Sequence, residues 1–250
     1  MKILTWNLNR PKDKLSSILQ FLRHEIEADV LLLQETYRID KTESEDLIFE
    51  ESYGAPVKRN EWVARRQKWG VAIWSRRGVI KQITTQGFEN CPGRAVVGEI
   101  QIDAEPISFV SIHAPIMANH GVATPSVFPH LDNALNQILA TLNDKKFVIG
   151  GDLNSDRALG QRLNGRYGHT DFWNEVDSRT RFHDCHFKAN GREIGTYISK
   201  KNKHDFQDDH IFVSPSLATA VKDCRVIDTS ETRSLGGNEH LPVLLDIDLA

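Results

Sequence analysis

The sequence predicts an α/β protein in which two mixed β-sheets pack together and are faced by helices. Three observations predict this class: strand-like segments outnumber helical ones, many strands are joined by short turns, and a strand–helix–strand order occurs twice in the 250 residues. The composition is even from end to end and contains no low-complexity stretch. One domain spanning residues 1–250 is therefore expected.

The first strand–helix–strand unit opens the chain. Residues 2–6 are predicted to form a strand that ends at Asn7, and an amphipathic helix follows. The apolar residues on one face of that helix are Leu15, Ile18, Leu19, Leu22 and Ile26. Residues 30–33 are a short continuous apolar run, typical of a strand buried on both faces, and they lead to Glu35.

The second unit repeats this plan with little residue identity. The segment "ISFVSIH" alternates with period two and ends at His113, apolar residues from Leu131 to Leu142 indicate a second helix, and "FVIGG" leads to Asp152. Further strand-like segments lie between and after the two units. They are "WGVAIWS", "AVVGEIQI", "TYIS", "HIFVS" and "PVLLDIDL".

Composition narrows the functional classes. Apolar residues make up 40% of the chain, and the formal net charge of -3 argues mildly against a strong nonspecific nucleic-acid binder, although it leaves room for a local basic groove. No stretch approaches the roughly 20 apolar residues that span a membrane, and the N-terminus has no signal-peptide pattern. Three widely spaced cysteines without a CxxC motif favour a reducing compartment. We therefore predict a cytoplasmic protein.

Polar residues recur at the predicted strand ends, where loops of α/β sheets form sites. These residues are Asn7, Glu35, His113, Asp152 with Asn154, Asp209 and His240. Carboxylates, amides and imidazoles together suit a hard divalent cation and phosphate chemistry, so Mg²⁺ or Mn²⁺ is the predicted cofactor. Taken singly, each residue also has an ordinary explanation. Asp152 and Asn154 suit an Asx turn, and a salt bridge could satisfy Glu35.

A series of short motifs occurs in order along the chain: "TWNLN", "LLLQE", "GVAIWS", "SIHAP", "GGDLN", "TYIS", "DHIFVS" and "EHLPV". Together they resemble the endonuclease/exonuclease/phosphatase superfamily, from about residue 3 to residue 247. Each motif alone carries little information, whereas the ordered set is specific. The resemblance implies a four-layer α/β sandwich and a metal-dependent phosphoesterase.

The resemblance also implies roles for five catalytic residues. Asp152 would hold or deprotonate the attacking water, and Asn154 would contact the scissile phosphate. His113 would donate a hydrogen bond to a phosphate oxygen. His240 would act as a general base or as a charged stabiliser of the transition state, and Asp209 would orient it.

The implied metal ligands include one departure from the family pattern. Glu35 would bind the metal with Asn7 beside it. The last motif usually contains Ser-Asp-His, but here it consists of Asn238, Glu239 and His240. Glu239 keeps the carboxylate and lengthens its side chain by one methylene, so we expect the metal site to adjust around it.

Two neighbouring features invite other interpretations. His183, Cys185 and His186 suggest zinc, but no fourth ligand lies at a suitable spacing, so we predict a structural role. Asp208 precedes the motif aspartate Asp209 and is predicted to be solvated.

The substrate is less clearly encoded. The stretch from residue 58 to residue 77 interleaves basic residues with tryptophans, which suits a nucleic-acid strand, and Arg65 and Arg66 are the predicted contacts. The alternative is that Trp69 and Trp74 belong to the core and the charges to a solvated face. Asn119, in the loop after His113, is a further candidate for phosphate binding.

Three functional hypotheses remain open from the sequence. The first is a Mg²⁺- or Mn²⁺-dependent nuclease-like phosphodiesterase with DNA or RNA as substrate. The second is a phosphatase or phosphodiesterase acting on a small or lipid-derived phosphoester. The third is a catalytically silent binding module of the same fold, which the near-complete catalytic set disfavours.

Overall fold

A computed structural model describes residues 1–57, 61–84, 94–114, 118–119, 122–123, 128–142, 145–158, 169–178, 182–198, 206–236 and 239–249. The strands are β1 (Lys2–Asn7), β2 (Val30–Tyr37), β3 (Asp46–Val57), β4 (Glu61–Ser75), β5 (Ile80–Ile83), β6 (Ala95–Ile102), β7 (Glu105–His113), β8 (Ala118–Asn119), β9 (Val122–Ala123), β10 (Lys146–Asp152), β11 (His183–Asp184), β12 (Asp209–Val213), β13 (Val221–Val226) and β14 (Val243–Ile247). The helices are α1 (Leu15–His24), α2 (Phe128–Thr141), α3 (His169–Ser178), α4 (Cys185–Asn190) and α5 (Ser230–Leu235), with a 3₁₀ helix at Pro215–Ala220.

The strands of the described residues form two six-stranded sheets and a separate hairpin of β8 and β9. Sheet I has the strand order β13-β14-β1-β2-β4-β3, and sheet II has the order β11-β12-β10-β7-β6-β5. β1 pairs with β2 in parallel, as β7 does with β10, whereas the other pairs are antiparallel. The two strand–helix–strand units supply these parallel pairs, so the predicted pair of mixed sheets is confirmed.

The central strands are apolar on both faces because each sheet lies between another sheet and a helix. In β2, Val30 and Leu32 pack in the core between the two sheets, while Leu31 and Leu33 pack beneath α1. On the other side, α2 and α3 cover sheet II through a cluster that includes Ile138 and Trp173. Helix, sheet, sheet and helix therefore form the four layers of an α/β sandwich, as the resemblance implied.

One predicted strand is absent among the described residues. "TYIS" forms only isolated bridges, in which Tyr197 pairs with Phe206 and with His240. These bridges join the segment before β12 to the segment before β14, so "TYIS" links the two sheets instead of extending either. In the part of the chain that the structure describes, no helix is long and apolar enough to cross a membrane.

The adjacent residues Gly150 and Gly151 in β10 must each be glycine for a different structural reason. A Cβ atom on Gly150 would lie 2.7 Å from Leu32 Cδ1 of the facing sheet, so this glycine lets the two sheets approach each other. A Cβ atom on Gly151 would lie 1.8 Å from the carbonyl oxygen of Ile112 in the neighbouring strand. The contact at Gly150 is with a side chain, which can rotate away. The contact at Gly151 is with the backbone of a paired strand, which cannot move aside.

Alanine substitutions at the two glycines should therefore have unequal effects. We expect Gly151→Ala to lower the free energy of unfolding by about 3 kcal/mol and Gly150→Ala by about 1 kcal/mol, because overpacking costs most where the neighbour cannot move. Urea denaturation of the two variants measures the difference. Equal midpoints would show that β7 and β10 can separate without cost at this position.

Candidate active site

The polar strand ends form two facing rows at one edge of the sandwich. Parallel strands end at this edge and antiparallel strands start there, except β4, which extends past it, so residues far apart in sequence become neighbours. In sheet II the first row consists of Arg94, His113, Asp152 and Asp209. In sheet I the second row consists of His240, Asn7, Glu35 and Trp69. Neighbouring strands lie about 4.8 Å apart, so each row extends over roughly 14 Å.

Side chains of the two rows meet in pairs across the sandwich. Asp209 Oδ2 lies 2.9 Å from His240 Nδ1, and Asp152 Oδ2 lies 2.7 Å from Asn7 Nδ2. Further along, His113 Nε2 lies 3.6 Å from Glu35 Oε1, and the Arg94 guanidinium carbon lies 5.8 Å from the centre of the Trp69 ring. The rows therefore enclose a cavity of about 360 Å³, with His240 near one end and Trp69 near the other.

Asp152 lies at the centre of the first row and is buried. Its Oδ1 atom accepts a hydrogen bond of 2.8 Å from the backbone N–H of Asn154, whose own side chain donates to the carbonyl of Ala114. Asn154 has a φ of 50°, a left-handed conformation that asparagine tolerates better than most residues. Burial raises the pKa of Asp152 to about 7, although the charge on His240 opposes the shift and Asp209 adds to it. The carboxylate is therefore poised to exchange a proton near neutral pH.

His113 is held as a neutral imidazole. Burial lowers its pKa well below the usual value, and the nearby charges of Arg94, His240 and Arg10 lower it further. Arg94 donates a 3.0 Å hydrogen bond to Nδ1, so the ring proton must reside on Nε2. Nε2 faces Glu35 and lies 3.9 Å from Asp152 Oδ2. His113 therefore directs an N–H group towards the carboxylates of the cavity.

His240 is held as a charged imidazolium. Burial by itself would lower its pKa, but the carboxylate of Asp209 and the neighbouring Asp152 and Asp208 reverse that effect and raise the pKa to about 10. Nδ1 donates to Asp209 Oδ2, and the ring packs 5.0 Å from that of Tyr197. Asp209 is fully buried, and its backbone N–H donates to Thr196 Oγ1. The pair thus places a positive charge at the acidic end of the cavity.

The charge on His240 links stability to pH. Because its pKa rises from 6.5 to about 10 on folding, the pair contributes stability that is fully present below pH 6.5 and is lost as the pH rises through about 10. In chelator-treated protein, we expect the unfolding free energy to fall by about 4 kcal/mol across this interval. Asp209→Asn should flatten the slope between pH 7.5 and 10. Equal slopes in the two proteins, measured by urea denaturation, would contradict the assigned charge.

The second row and the adjacent loop contain oxygen donors suited to a divalent cation. Glu35 and Glu239 contribute carboxylates that line the cavity, and Asn7 contributes an amide oxygen. Asn9 donates one hydrogen bond from its side chain to Glu239 and another from its backbone to the Asn7 side-chain oxygen. Carboxylate and amide oxygens are the ligands that Mg²⁺ and Mn²⁺ prefer. The donor set therefore fits such an ion.

A second grouping overlaps this set. Among the residues described, Asp152, Asp209 and His240 place potential ligand atoms within 4.8 Å of one another, and all three are buried. Two of them are already hydrogen-bonded to each other. No comparable group includes His183, Cys185 or His186 in the described part of the chain, and the structural role of that segment stays a prediction.

Sequence reasoning missed several residues that line the cavity. These are Asn9, Arg10, Arg94, Tyr197 and Asp208. Arg94 immediately precedes an apolar strand, and His240 lies shortly before one. A polar residue just before an apolar strand is therefore the sequence signal by which Arg94 could have been predicted. The prediction that Asp208 is solvated was wrong. It is half-buried in the wall of the cavity, and burial together with the charge of Asp152 raises its pKa well above the usual value.

The residues predicted to bind substrate are less well defined. Arg65 and Arg66 lie in β4 and Asn119 in β8, but their side chains are outside the described residues. The two tryptophans considered in the basic stretch lie in different environments. Trp74 is 1% exposed and belongs to the core, whereas Trp69 lines the cavity between Arg10 and Arg94.

The chain matches a known protein family. The model of the Endonuclease/Exonuclease/phosphatase family matches residues 4–229, which is most of the chain. The chain belongs to this family. Membership makes it a hydrolase that acts on phosphoester bonds. The matched segment contains every residue of the first row, while Glu239 and His240 lie beyond its end.

Solved structures of low sequence identity share the fold. An AP endonuclease from Archaeoglobus fulgidus is 18% identical with a TM-score of 0.74, and the match covers 100% of both chains. The 3′ phosphatase NExo from Neisseria, bound to a product DNA hairpin, is 19% identical with a TM-score of 0.69 over 99% of both chains. A search of curated protein sequences gave no match.

Proposed function

We propose that this family member hydrolyses phosphodiester bonds in nucleic acid with the help of Mg²⁺ or Mn²⁺. The observation that carries the proposal is the meeting of the two rows around one cavity. A proton-accepting carboxylate, two imidazoles in different protonation states and an oxygen donor set all face the same space. These are the groups that in-line attack on a phosphodiester requires.

Asn7, Glu35 and Glu239 would hold the cation. Asp209 and His240 are less available to it because they are bonded to each other at 2.9 Å. When bound, a divalent cation supplies charge stabilisation at the phosphate oxygens. The fit rests on the oxygen donors of the cavity and on the position of Glu35, whose side chain is 15% exposed.

Asp152 is the proposed proton acceptor for the attacking water. Asn7 and the backbone of Asn154 hold its two oxygens in a fixed orientation, which reduces the entropy lost in reaching the reactive geometry. The Asn154 side chain donates to the Ala114 carbonyl, so its proposed contact with the scissile phosphate requires that it exchange this partner.

The two histidines are proposed to stabilise negative charge on the phosphate. His113 donates from Nε2, since its Nδ1 atom accepts from Arg94. His240 carries a positive charge at neutral pH, which favours its role as a charged donor over that of a general base. Preorganised donors of this kind lower the barrier because they need no reorientation during the reaction.

Nucleic acid is the proposed substrate class because the end of the cavity opposite His240 combines cations with an aromatic ring. The guanidinium carbons of Arg10 and Arg94 lie 5.5 and 5.8 Å from the centre of the Trp69 ring. Cations pair with phosphates, and exposed rings stack with bases. The neighbouring structure of NExo was determined with a DNA hairpin. Arg65, Arg66 and Asn119 remain proposed contacts beyond this end.

A substrate panel tests the proposal. The protein should be incubated with Mg²⁺ or Mn²⁺ and single-stranded DNA, duplex DNA, duplex DNA with an abasic site, RNA, or bis-p-nitrophenyl phosphate. We expect cleavage of at least one nucleic acid and none with EDTA. Cleavage of the small diester alone would favour a phosphoesterase of small substrates. No turnover with Mn²⁺ binding intact would favour a silent binding module.

A further inference from the structure

The carboxylates of the cavity are mostly paired with donors from the chain itself. Asp152 is paired with Asn7, Asp209 with His240, and Glu239 with Asn9. Glu35 differs because its cationic partner is exposed: Oε2 lies 2.9 Å from Nε of Arg10, whose side chain is 49% exposed, whereas His240 beside Asp209 is buried. The proposed metal ligand Glu35 thus already has a cation beside it.

Several contacts place Arg10 between Glu35 and the cationic end of the cavity. Its backbone N–H donates to the Glu35 carbonyl at 2.8 Å, which fixes the loop after β1 against the end of β2. Its guanidinium also bonds to Asn9 Oδ1 at 3.1 Å and lies over the Trp69 ring. The side chain is 49% exposed, so it can leave Glu35 without unpacking the core.

Arg10 and a divalent cation would compete for the same carboxylate. A guanidinium hydrogen-bonded to Glu35 repels a second cation and occupies a lone pair that the ion needs. Displacement is feasible because Arg10 already contacts Trp69, and a cation–π contact can hold it there. From the Trp69 ring the guanidinium would face the side of the cavity that Arg94 also lines.

We propose that Arg10 is an internal counter-ion of Glu35 that is displaced by the divalent cation and then binds a substrate phosphate. The inference rests on the proposed function, since it needs the cation at Glu35. It makes the cation and the phosphate cooperative ligands: the cation releases Arg10 for the phosphate, and the phosphate removes a competitor of the cation. Linkage requires this coupling to be equal in both directions.

The test measures binding, so it is independent of turnover. Mn²⁺ affinity is determined from the electron paramagnetic resonance signal of the free ion, with and without dimethyl phosphate as an unreactive phosphodiester. The proteins are the wild type, Arg10→Gln and Arg10→Lys, with Lys12→Gln as matched control. Lys12 is an exposed cation two residues away, so its loss changes the net charge equally.

The inference predicts opposite effects in the two conditions. Without phosphate, Arg10→Gln should bind Mn²⁺ about tenfold more tightly than the wild type, and Arg10→Lys should fall between them. With dimethyl phosphate, the wild type should gain about fivefold in Mn²⁺ affinity and Arg10→Gln should gain nothing. Lys12→Gln should behave as the wild type does.

The results that overturn the inference are distinct from those that overturn the proposed function. Unchanged or weaker Mn²⁺ binding by Arg10→Gln would show that Arg10 does not compete for Glu35. An equal change in the Mn²⁺ affinity of Lys12→Gln would show that the effect comes from the net charge of the protein and not from the contact between Arg10 and Glu35. If neither the wild type nor Arg10→Gln binds Mn²⁺, the metal-dependent function itself fails, and the inference fails with it.

Discussion

Asp152→Asn is expected to lower kcat for phosphodiester hydrolysis by about 10⁴-fold, the upper range for loss of a general base. The amide has the shape of the carboxylate but cannot accept the proton of the attacking water. The Oδ1 atom can still accept the N–H of Asn154, but the new amide nitrogen cannot accept the hydrogen bond that Asn7 Nδ2 donates to Oδ2. KM should change little, because the change affects the chemical step more than ground-state binding.

Stability supplies the control for Asp152→Asn. Burial raises the pKa of Asp152 to about 7, which means that ionising it in the folded state costs free energy. The neutral amide avoids this cost, which offsets the hydrogen bond lost from Asn7, so it should unfold within a few degrees of the wild type at pH 8. Asp103→Asn, in the exposed turn at the far end of β7, should retain full activity. Retention of a tenth of the wild-type rate by Asp152→Asn would show that another group accepts the proton.

His240→Ala is expected to lower kcat by about 10³-fold, as for removal of a preorganised donor to developing negative charge. Asp209→Asn should cost less, about 30-fold, because it leaves the imidazole in place but removes the carboxylate that charges it. Since Asp209 acts through His240, adding Asp209→Asn to His240→Ala should cost almost nothing further. The four proteins form a double-mutant cycle measured by initial rates at saturating substrate.

The same cycle separates the two roles considered for His240. A charged donor loses its effect as the pH rises towards the pKa of about 10, so wild-type activity should decline at high pH. A general base with this pKa would instead give activity that still rises through about pH 10, and His240→Ala would lose that rise. Additive effects of the two substitutions would show that Asp209 has a function apart from His240.

The fold was predictable where the pattern of apolar residues within a single segment identifies the strand or helix. The apolar run at 30–33 identified β2 as a strand covered on both faces, and the helical face from Leu15 to Leu22 identified α1. "TYIS" misled because its residues are strand-like, whereas the bridges seen among the described residues join the segment before β12 to the segment before β14. The single domain of residues 1–250 and the cytoplasmic location remain predictions.

The candidate site was predictable wherever a polar residue followed an apolar strand. That rule and the ordered motifs found Asn7, Glu35, His113 and Asp152, which the structure brings around one cavity. It could not find Arg10, because nothing in the sequence shows that the loop after β1 folds back on the end of β2. Asp208 was misjudged for a similar reason: its neighbours come from other strands.

The sequence by itself determined which chemical groups this protein possesses and at which strand ends they stand, because strand pattern and turn chemistry are local properties of the chain. Only the tertiary structure decided which groups face one another and in which protonation state. His113 is neutral and His240 is charged, although both are buried imidazoles. The difference arises because Arg94 lies beside one ring and Asp209 beside the other, and electrostatic energy depends on distances through space.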